Sequence, residues 1–215
     1  MPLLLPMLAT GQSVPNHKPA SGPVPARYSE QGAIAMPNDR ADDSYAIYSM
    51  LTPGAELASM PPEHTQQWAV AAITVNENDR NPAVPPQGQL KPPPDNPKGF
   101  AEAVADYEMN KNVRVALTKR PFHIDHAFAL LPPDQVEELR AAKSSASASS
   151  ATQSQWAGFP GVTYFSEVYF DSKHAAALVY RNDWCTNLCS AGSWIYLEKH
   201  GGHWTQRSGV VVPGA

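Results

Sequence analysis

What the sequence lacks limits the functions that are open to it. No stretch approaches the roughly 18 consecutive apolar residues of a membrane-spanning helix, so no membrane span is predicted. The 16 basic residues, against 20 acidic ones, form no run or stripe. Because clustered Lys and Arg neutralise phosphates in nucleic-acid complexes, nucleic acid is not a predicted partner. No serine stands in a Gly-x-Ser-x-Gly elbow and no carboxylates pair at a telling spacing, so neither a catalytic motif nor a cofactor is predicted.

Proline, by contrast, is abundant: the 215-residue chain has 22 prolines, about twice the usual share of roughly 5%. Most lie in residues 2–37 and 82–97, where they disfavour helices and strand ladders. The folded core must therefore come from fewer residues than the length suggests. We expect a disordered tail at 1–40 and a single α+β domain at 41–215, with a Pro-rich loop at 76–98, a Ser/Ala-rich loop at 144–155 and a meander at 162–212.

The N-terminal residues 1–11 are apolar or small and are similar to the end of a secretion signal peptide. The basic region that normally precedes such a stretch is missing. One interpretation is a remnant of a signal peptide; the alternative is a disordered apolar tail.

Residues 162–212 predict four consecutive strands, because their apolar and polar side chains alternate with period two. A polar break at 171–174 and the pair Gly201-Gly202 supply turns, since glycine adopts positive φ without steric cost. Consecutive strands joined by short turns pair antiparallel. The predicted fold class is α+β: a four-stranded antiparallel meander with two or three helices packed on one face, and Pro-rich disordered segments outside it.

Three helices are predicted in the residues that precede the meander. One of the residues at 42–44 is predicted to cap a first helix, and Asn96 is predicted to cap a second one. Proline follows Asn96, at a position that helices favour for proline. A third helix is predicted to begin at 132–134. Short strands are predicted at 67–75 and 127–131.

Several C-terminal segments resemble an uncharacterised family of secreted bacterial proteins. They are FSEVYF at 165–170, ALVY at 177–180, CTNLCSAG at 185–192, YLEK at 196–199 and GHW at 202–204. The resemblance implies a C-terminal antiparallel meander with a Cys-x-x-x-Cys corner, in a secreted protein. The chain departs from the family in its proline loop, its Ser/Ala insert and its Ser190-Ala191 pair, where glycines are usual. The family has no assigned activity, so the resemblance implies no chemistry.

Cys185 and Cys189 are the only cysteines, and in a secreted chain they predict a disulfide at the corner between two strands. Closing so small a loop contributes only about 2 kcal/mol in the chain-entropy model. Free thiols are the alternative. A zinc site that adds His200 and His203 fits the spacing but not the geometry, because the intervening strand separates the two pairs by roughly 20 Å.

His123, Asp125 and His126 form a His-x-x-His pair with an acid between them. On a helical turn both imidazoles would share a face and could bind a metal. Against this, Pro121 precedes the segment, its helix propensity is poor, and no third ligand is identifiable. No metal site is therefore predicted there, and the three residues are kept as the candidates for one.

Trp184, Trp194 and Tyr196 are the candidates for a binding face, although aromatic residues in a sheet more often pack under helices. The function predicted is a non-catalytic secreted or periplasmic module, binding or structural, whose partner is a protein or a small apolar ligand. It would use the exposed sheet face or the cysteine corner. The alternative is a hydrolase or metal-dependent enzyme centred on His123, Asp125 and His126, which requires these side chains to converge on a pocket.

Overall fold

The computed structural model describes residues 30, 32–53, 67–80, 83–144, 149–186 and 189–211, without the side chains of Thr152, Thr186 and Cys189. This part of the chain contains nine strands and five helices. In chain order they are β1 (Ala33–Ala35), α1 (Asn38–Leu51), β2 (Trp68–Ala71), α2 (Pro86–Gln89), α3 (Pro97–Asn110), β3 (Arg114–Ala116), β4 (Phe128–Leu131), α4 (Pro133–Ser144), α5 (Ser150–Gln155), β5 (Val162–Phe165), β6 (Tyr169–Phe170), β7 (Ala176–Thr186), β8 (Cys189–His200) and β9 (His203–Gln206).

The main sheet has seven strands and is mixed. Its order is β4-β2-β5-β7-β8-β9, with β6 also paired to β7, and it curls into a half-barrel. β2 runs parallel to both β4 and β5, while β5, β7, β8 and β9 pair antiparallel in turn. The α+β class is confirmed, but the predicted four-stranded antiparallel meander is wrong. Parallel pairing of β2 joins residues that are distant in sequence, and local periodicity carries no information about it.

Helices cover both faces of this sheet, so the prediction that they pack on one face is also wrong. Successive strand residues point to opposite faces. On β7, Ala177 belongs to the cluster that contains Tyr48 of α1, whereas Leu178 belongs to the cluster that contains Tyr107 of α3. Nearer β2 and β5, α4 covers the same face as α3, through a cluster that includes Leu139. The sheet is therefore buried between two helical layers.

The strand predicted over 162–170 is interrupted between β5 and β6. Ser166 anchors the interruption: its backbone N–H donates to the Tyr180 carbonyl, 2.9 Å away, and its hydroxyl accepts from the Tyr180 N–H at the same distance. The buried Tyr48 hydroxyl donates to the Ser166 carbonyl over 2.9 Å. These bonds hold the chain between α1 and the sheet, where Glu167 becomes buried.

The Pro-rich and Ser/Ala-rich loops contain more structure than predicted. The first includes a 3₁₀ turn at Glu77–Asp79 and the short helix α2, and Leu90 behind α2 is 2% exposed. The second includes α5, and β1 and the first residues of α1 lie within the stretch predicted as the tail. The cap of α3 is confirmed, since the Asn96 side chain accepts from the Gly99 N–H over 3.1 Å.

Replacing Leu139 by alanine tests the packing of α4 on the sheet. Leu139 is fully buried, and its cluster includes Val162 and Trp184. We expect Leu139→Ala to lower the free energy of unfolding by about 2–5 kcal/mol in urea titrations, because it leaves a cavity. Gln135→Ala, on the exposed side of the same helix, should change it by less than about 0.5 kcal/mol. Equal effects of the two substitutions would contradict this packing.

Candidate functional site

The aromatic residues predicted as a binding face are part of the core. Trp184, Trp194 and Tyr196 are 5%, 3% and 1% exposed. The Tyr196 ring lies 5.4 Å from that of Phe100 and the Trp194 ring 5.2 Å from that of Tyr107, both on α3. These rings are therefore packed into the core, and Trp194 also borders a surface concavity.

His123, Asp125 and His126 lie in the loop between β3 and β4. The backbone N–H of His123 donates to the Ser49 hydroxyl over 2.9 Å, while its side chain is exposed. The Asp125 carboxylate is fully exposed, and the neighbouring His126 ring lies 3.1 Å away. Within the described ranges, no group of three or more His, Cys, Asp or Glu side chains is placed to hold a metal. The geometry gives no support to an enzymatic centre at this loop.

The cysteine corner lies at the far end of the β7–β8 ribbon from the paired histidines. His200 and His203 face each other across the β8–β9 turn, at the opposite end of β8 from Cys189. β8 has 12 residues, so its ends are roughly 35 Å apart, and the zinc hypothesis is not supported. Cys185 lies at a register shift between Trp184 and Thr186. The Cys189 side chain is outside the described residues, so the disulfide stays a prediction.

An open groove lies along the outer edge of β8, where β9 ends. β9 pairs with β8 only over Leu197–His200, and beyond it a concavity of about 410 Å³ borders Ala191 to Trp194. Gln89, Leu90, Gln206 and Val211 also line it, and Leu90 and Val211 are joined by an antiparallel bridge. We call this concavity the edge groove. Its volume lies in the range of small-ligand sites, which is about 300–1,000 Å³.

The backbone of β8 presents hydrogen-bonding groups to the edge groove. The Tyr196 carbonyl accepts from the Arg207 N–H over 2.9 Å, so the peptide groups of Tyr196 face outward, away from β7. In an antiparallel ladder every second residue has this orientation, so those of Trp194 and Gly192 face outward too. The Trp194 N–H donates to the Gln89 side-chain oxygen over 2.9 Å. A carboxamide oxygen thus occupies the place that a neighbouring strand's carbonyl would take.

Gly192 keeps this edge accessible. A Cβ atom at Gly192 would overlap the hydroxyl of Tyr180 and approach the Asn182 side chain to 2.7 Å. The Tyr180 ring therefore covers one face of the strand at this point, and only glycine fits beneath it. The glycine leaves the peptide groups of Gly192 unscreened by a side chain of their own.

The edge groove has balanced charge. Arg181 and Asp183, both on β7, form an ion pair, and their formal charges of +1 and −1 cancel. Gln89, Gln206 and Ser193 add neutral hydrogen-bonding groups. Among the described lining residues there is no histidine, cysteine or lysine. This lining suits a neutral amide better than a phosphate or an ammonium group.

A buried ion-pair cluster at the other side of the fold was not predicted from the sequence. Arg40 of α1 pairs with Asp106 of α3 and with Glu167 in the β5–β6 interruption. Asp106 also accepts the Phe170 N–H over 2.8 Å. Burial raises the pKa of Glu167 and the positive charge of Arg40 lowers it, with a net upward shift. The cluster joins both helical layers to the sheet edge at β6.

The pH dependence of stability tests the burial of Glu167. A carboxyl whose pKa is raised in the folded state binds its proton more tightly there, so wild-type stability falls as the pH rises from about 4.5 through the folded-state pKa. Glutamine cannot titrate. We expect the free energy of unfolding of Glu167→Gln, relative to wild type, to increase across this window. A difference that stays constant from about pH 4 to about pH 8 would contradict a raised pKa.

Sequence reasoning did not single out Gln89. It noted Ser190-Ala191 only because glycines are usual there in the family that the chain resembles. Gln89 stands in the Pro-rich stretch, where no periodicity distinguishes it.

No protein-family model, curated protein or solved structure matches this chain. No helix within the described ranges is long and apolar enough to cross a membrane.

Proposed function

We propose that the protein is a binding module that takes up an extended peptide along the open edge of β8, in the edge groove. The hydrogen bond from the Trp194 N–H to the Gln89 carboxamide carries this proposal. A side-chain amide occupies the edge in the way that a strand's backbone would. Addition of a peptide strand to an exposed sheet edge is an established recognition mode, in which main-chain hydrogen bonds give the affinity.

The character of the edge groove favours a peptide over a small apolar ligand. The charges of Arg181 and Asp183 cancel, and the outward N–H of Trp194 lies at the groove, where it donates to Gln89. An incoming strand would alternate its side chains between the Tyr180 face and the Arg181 face of the ribbon. Leu90 and Val211 offer limited apolar contact at the walls. Backbone pairing would therefore dominate the affinity, and side chains would tune it.

We further propose that the module works outside the cytoplasm, in a secreted or periplasmic protein. The two cysteines at the β7–β8 corner, the apolar N-terminal residues and the family resemblance support this location. The enzyme alternative at His123, Asp125 and His126 is weakened, because the Asp125 carboxylate is fully exposed. A purely structural role would leave the edge groove without a ligand.

Replacing Gln89 by alanine tests the edge groove. The probe is a seven-residue peptide of alternating threonine and valine, titrated while the Gly192 and Trp194 amide signals are followed by NMR. Gln89→Ala frees the Trp194 N–H from an intramolecular bond worth about 0.5–1.5 kcal/mol, so the peptide should bind about two- to tenfold more tightly. Gln87→Ala, an exposed position on the same short helix, should leave the affinity unchanged.

A second peptide, methylated on every interior amide nitrogen, separates backbone pairing from side-chain contact. It keeps all side chains but lacks the donors that a strand needs, so its binding should be lost. Undiminished binding of this peptide would refute strand addition. So would unchanged Gly192 and Trp194 signals in both wild type and Gln89→Ala.

Thiol titration tests the location and the corner together. Protein exported by its native host should show no reactive thiol when denatured without reductant, and two per chain after reduction, because a disulfide persists in an oxidising compartment. Cys185→Ser should show a single thiol without reductant. Two reactive thiols in unreduced wild-type protein would refute the disulfide and weaken the proposed location.

A further inference from the structure

A second concavity, of about 580 Å³, lies between the first turn of α1, α3 and the turn that joins β6 to β7. Phe170 is the last residue of β6, Ser172 and His174 come from the turn, Arg40 from α1 and Met109 from α3. It shares no lining residue with the edge groove. We call it the His174 cleft.

His174 has an unusual backbone conformation. Its φ is 52°, and among the described residues it is the only one other than glycine with a positive φ. The turn enforces this conformation: the His174 N–H donates to the Asp171 carbonyl over 3.0 Å, and the Asp171 carboxylate accepts from the N–H groups of Ala175 and Ala176. Histidine, like asparagine and aspartate, is enriched at positive φ. The turn therefore fixes the position of the His174 backbone beside the cleft.

The His174 ring is held in one orientation. It stacks on the Phe170 ring with centroids 4.5 Å apart and planes inclined by 14°. Its Nδ1 lies 3.5 Å from the Asp43 carboxylate. The side chain is 32% exposed and lines the cleft, and no described residue forms a hydrogen bond with Nε2. One ring nitrogen therefore faces an acid, and the other remains available to a ligand.

Asp43 is itself fixed by two donors from the sheet. Lys199 donates to its carboxylate over 2.6 Å and the Trp204 indole N–H over 2.9 Å. Burial raises the pKa of Asp43, but the hydrogen bonds from Lys199 and Trp204 outweigh it, and the net shift is downward. The carboxylate stays ionised and orients the imidazole. A base oriented by a third group is the arrangement that activates nucleophiles in hydrolases.

We infer that His174 is the general base of a second, hydrolytic site that cleaves small esters in the His174 cleft. Nε2 takes a proton from a water molecule as the water oxygen bonds to the acyl carbon. The bond from that carbon to the alkoxy oxygen then breaks, and the imidazolium returns the proton to the departing alkoxide. Water is the only co-reactant, and the products are an acid and an alcohol.

The surroundings define the nucleophile and the substrate. The Ser172 hydroxyl donates to the Glu102 carboxylate over 2.6 Å, so water rather than Ser172 is the nucleophile. The cleft is lined by four carboxylates and one guanidinium, and Arg40 is already paired with Asp106 and Glu167. Anionic esters are therefore repelled, while Met109 and Phe170 accept an uncharged acyl group. General-base catalysis of this kind contributes about 10²- to 10⁴-fold.

Hydrolysis of p-nitrophenyl acetate by the full chain tests this site. We expect His174→Asn to lower kcat/KM by about 10²- to 10⁴-fold with a thermal unfolding midpoint close to wild type, since asparagine tolerates positive φ. His123→Gln, which changes a histidine exposed on another loop, should retain full activity. The anionic mono-p-nitrophenyl ester of succinate should be hydrolysed at least tenfold more slowly than the acetate.

Asp43 acts through His174, so it is a positioning residue with its own readout. We expect Asp43→Asn to lower kcat by about tenfold or more while KM changes less than twofold, because substrate does not touch it. The site is refuted if wild type and His174→Asn hydrolyse the acetate equally, or if neither exceeds the buffer rate. Loss of activity in His123→Gln alone would place the chemistry at the other loop instead.

Discussion

The pairing of β7 with β8 is the constraint on which the rest of the structure depends. These two strands, of 11 and 12 residues, are the longest in the described part of the chain. β5 and β6 cover one edge of the ribbon in two pieces, and the four-residue β9 covers the other edge only near the turn. The difference in length between β8 and β9 leaves an open edge. Glu167 lies in the interruption between β5 and β6, where it forms an ion pair with Arg40.

Local patterns predicted the strands, but not how β2 and β4 pair within the sheet. Alternation over 176–200 and the glycine pair at 201–202 are local signals, and the hairpins of β7, β8 and β9 follow from them. The place of β2 between β4 and β5 depends on contacts between distant segments. The same reason explains the second helical layer, because a strand that is apolar on both faces does not reveal which helix covers each face.

The partners of the polar side chains could be predicted from the sequence even less than the strand pairing could. Sequence reasoning placed Asp43 among the residues that cap a helix, since acidic residues favour such positions. The helix begins at Asn38 instead, and Asp43 faces Lys199, Trp204 and His174 from its interior. His123 and His126 drew attention because they are close in sequence. The His174 ring instead stacks on Phe170 and faces Asp43, which is far away along the chain.

Gln89 has a consequence for the protein's behaviour at high concentration. A long strand with a free edge is a template on which further copies of the same chain can polymerise, and natural proteins shield such edges. Here a single carboxamide caps the Trp194 amide, at the point where β9 no longer protects the ribbon. A side chain on a four-residue helix is removed more easily than a whole strand. Loss of this one contact would expose the Trp194 amide to a peptide and to a second copy of the chain alike.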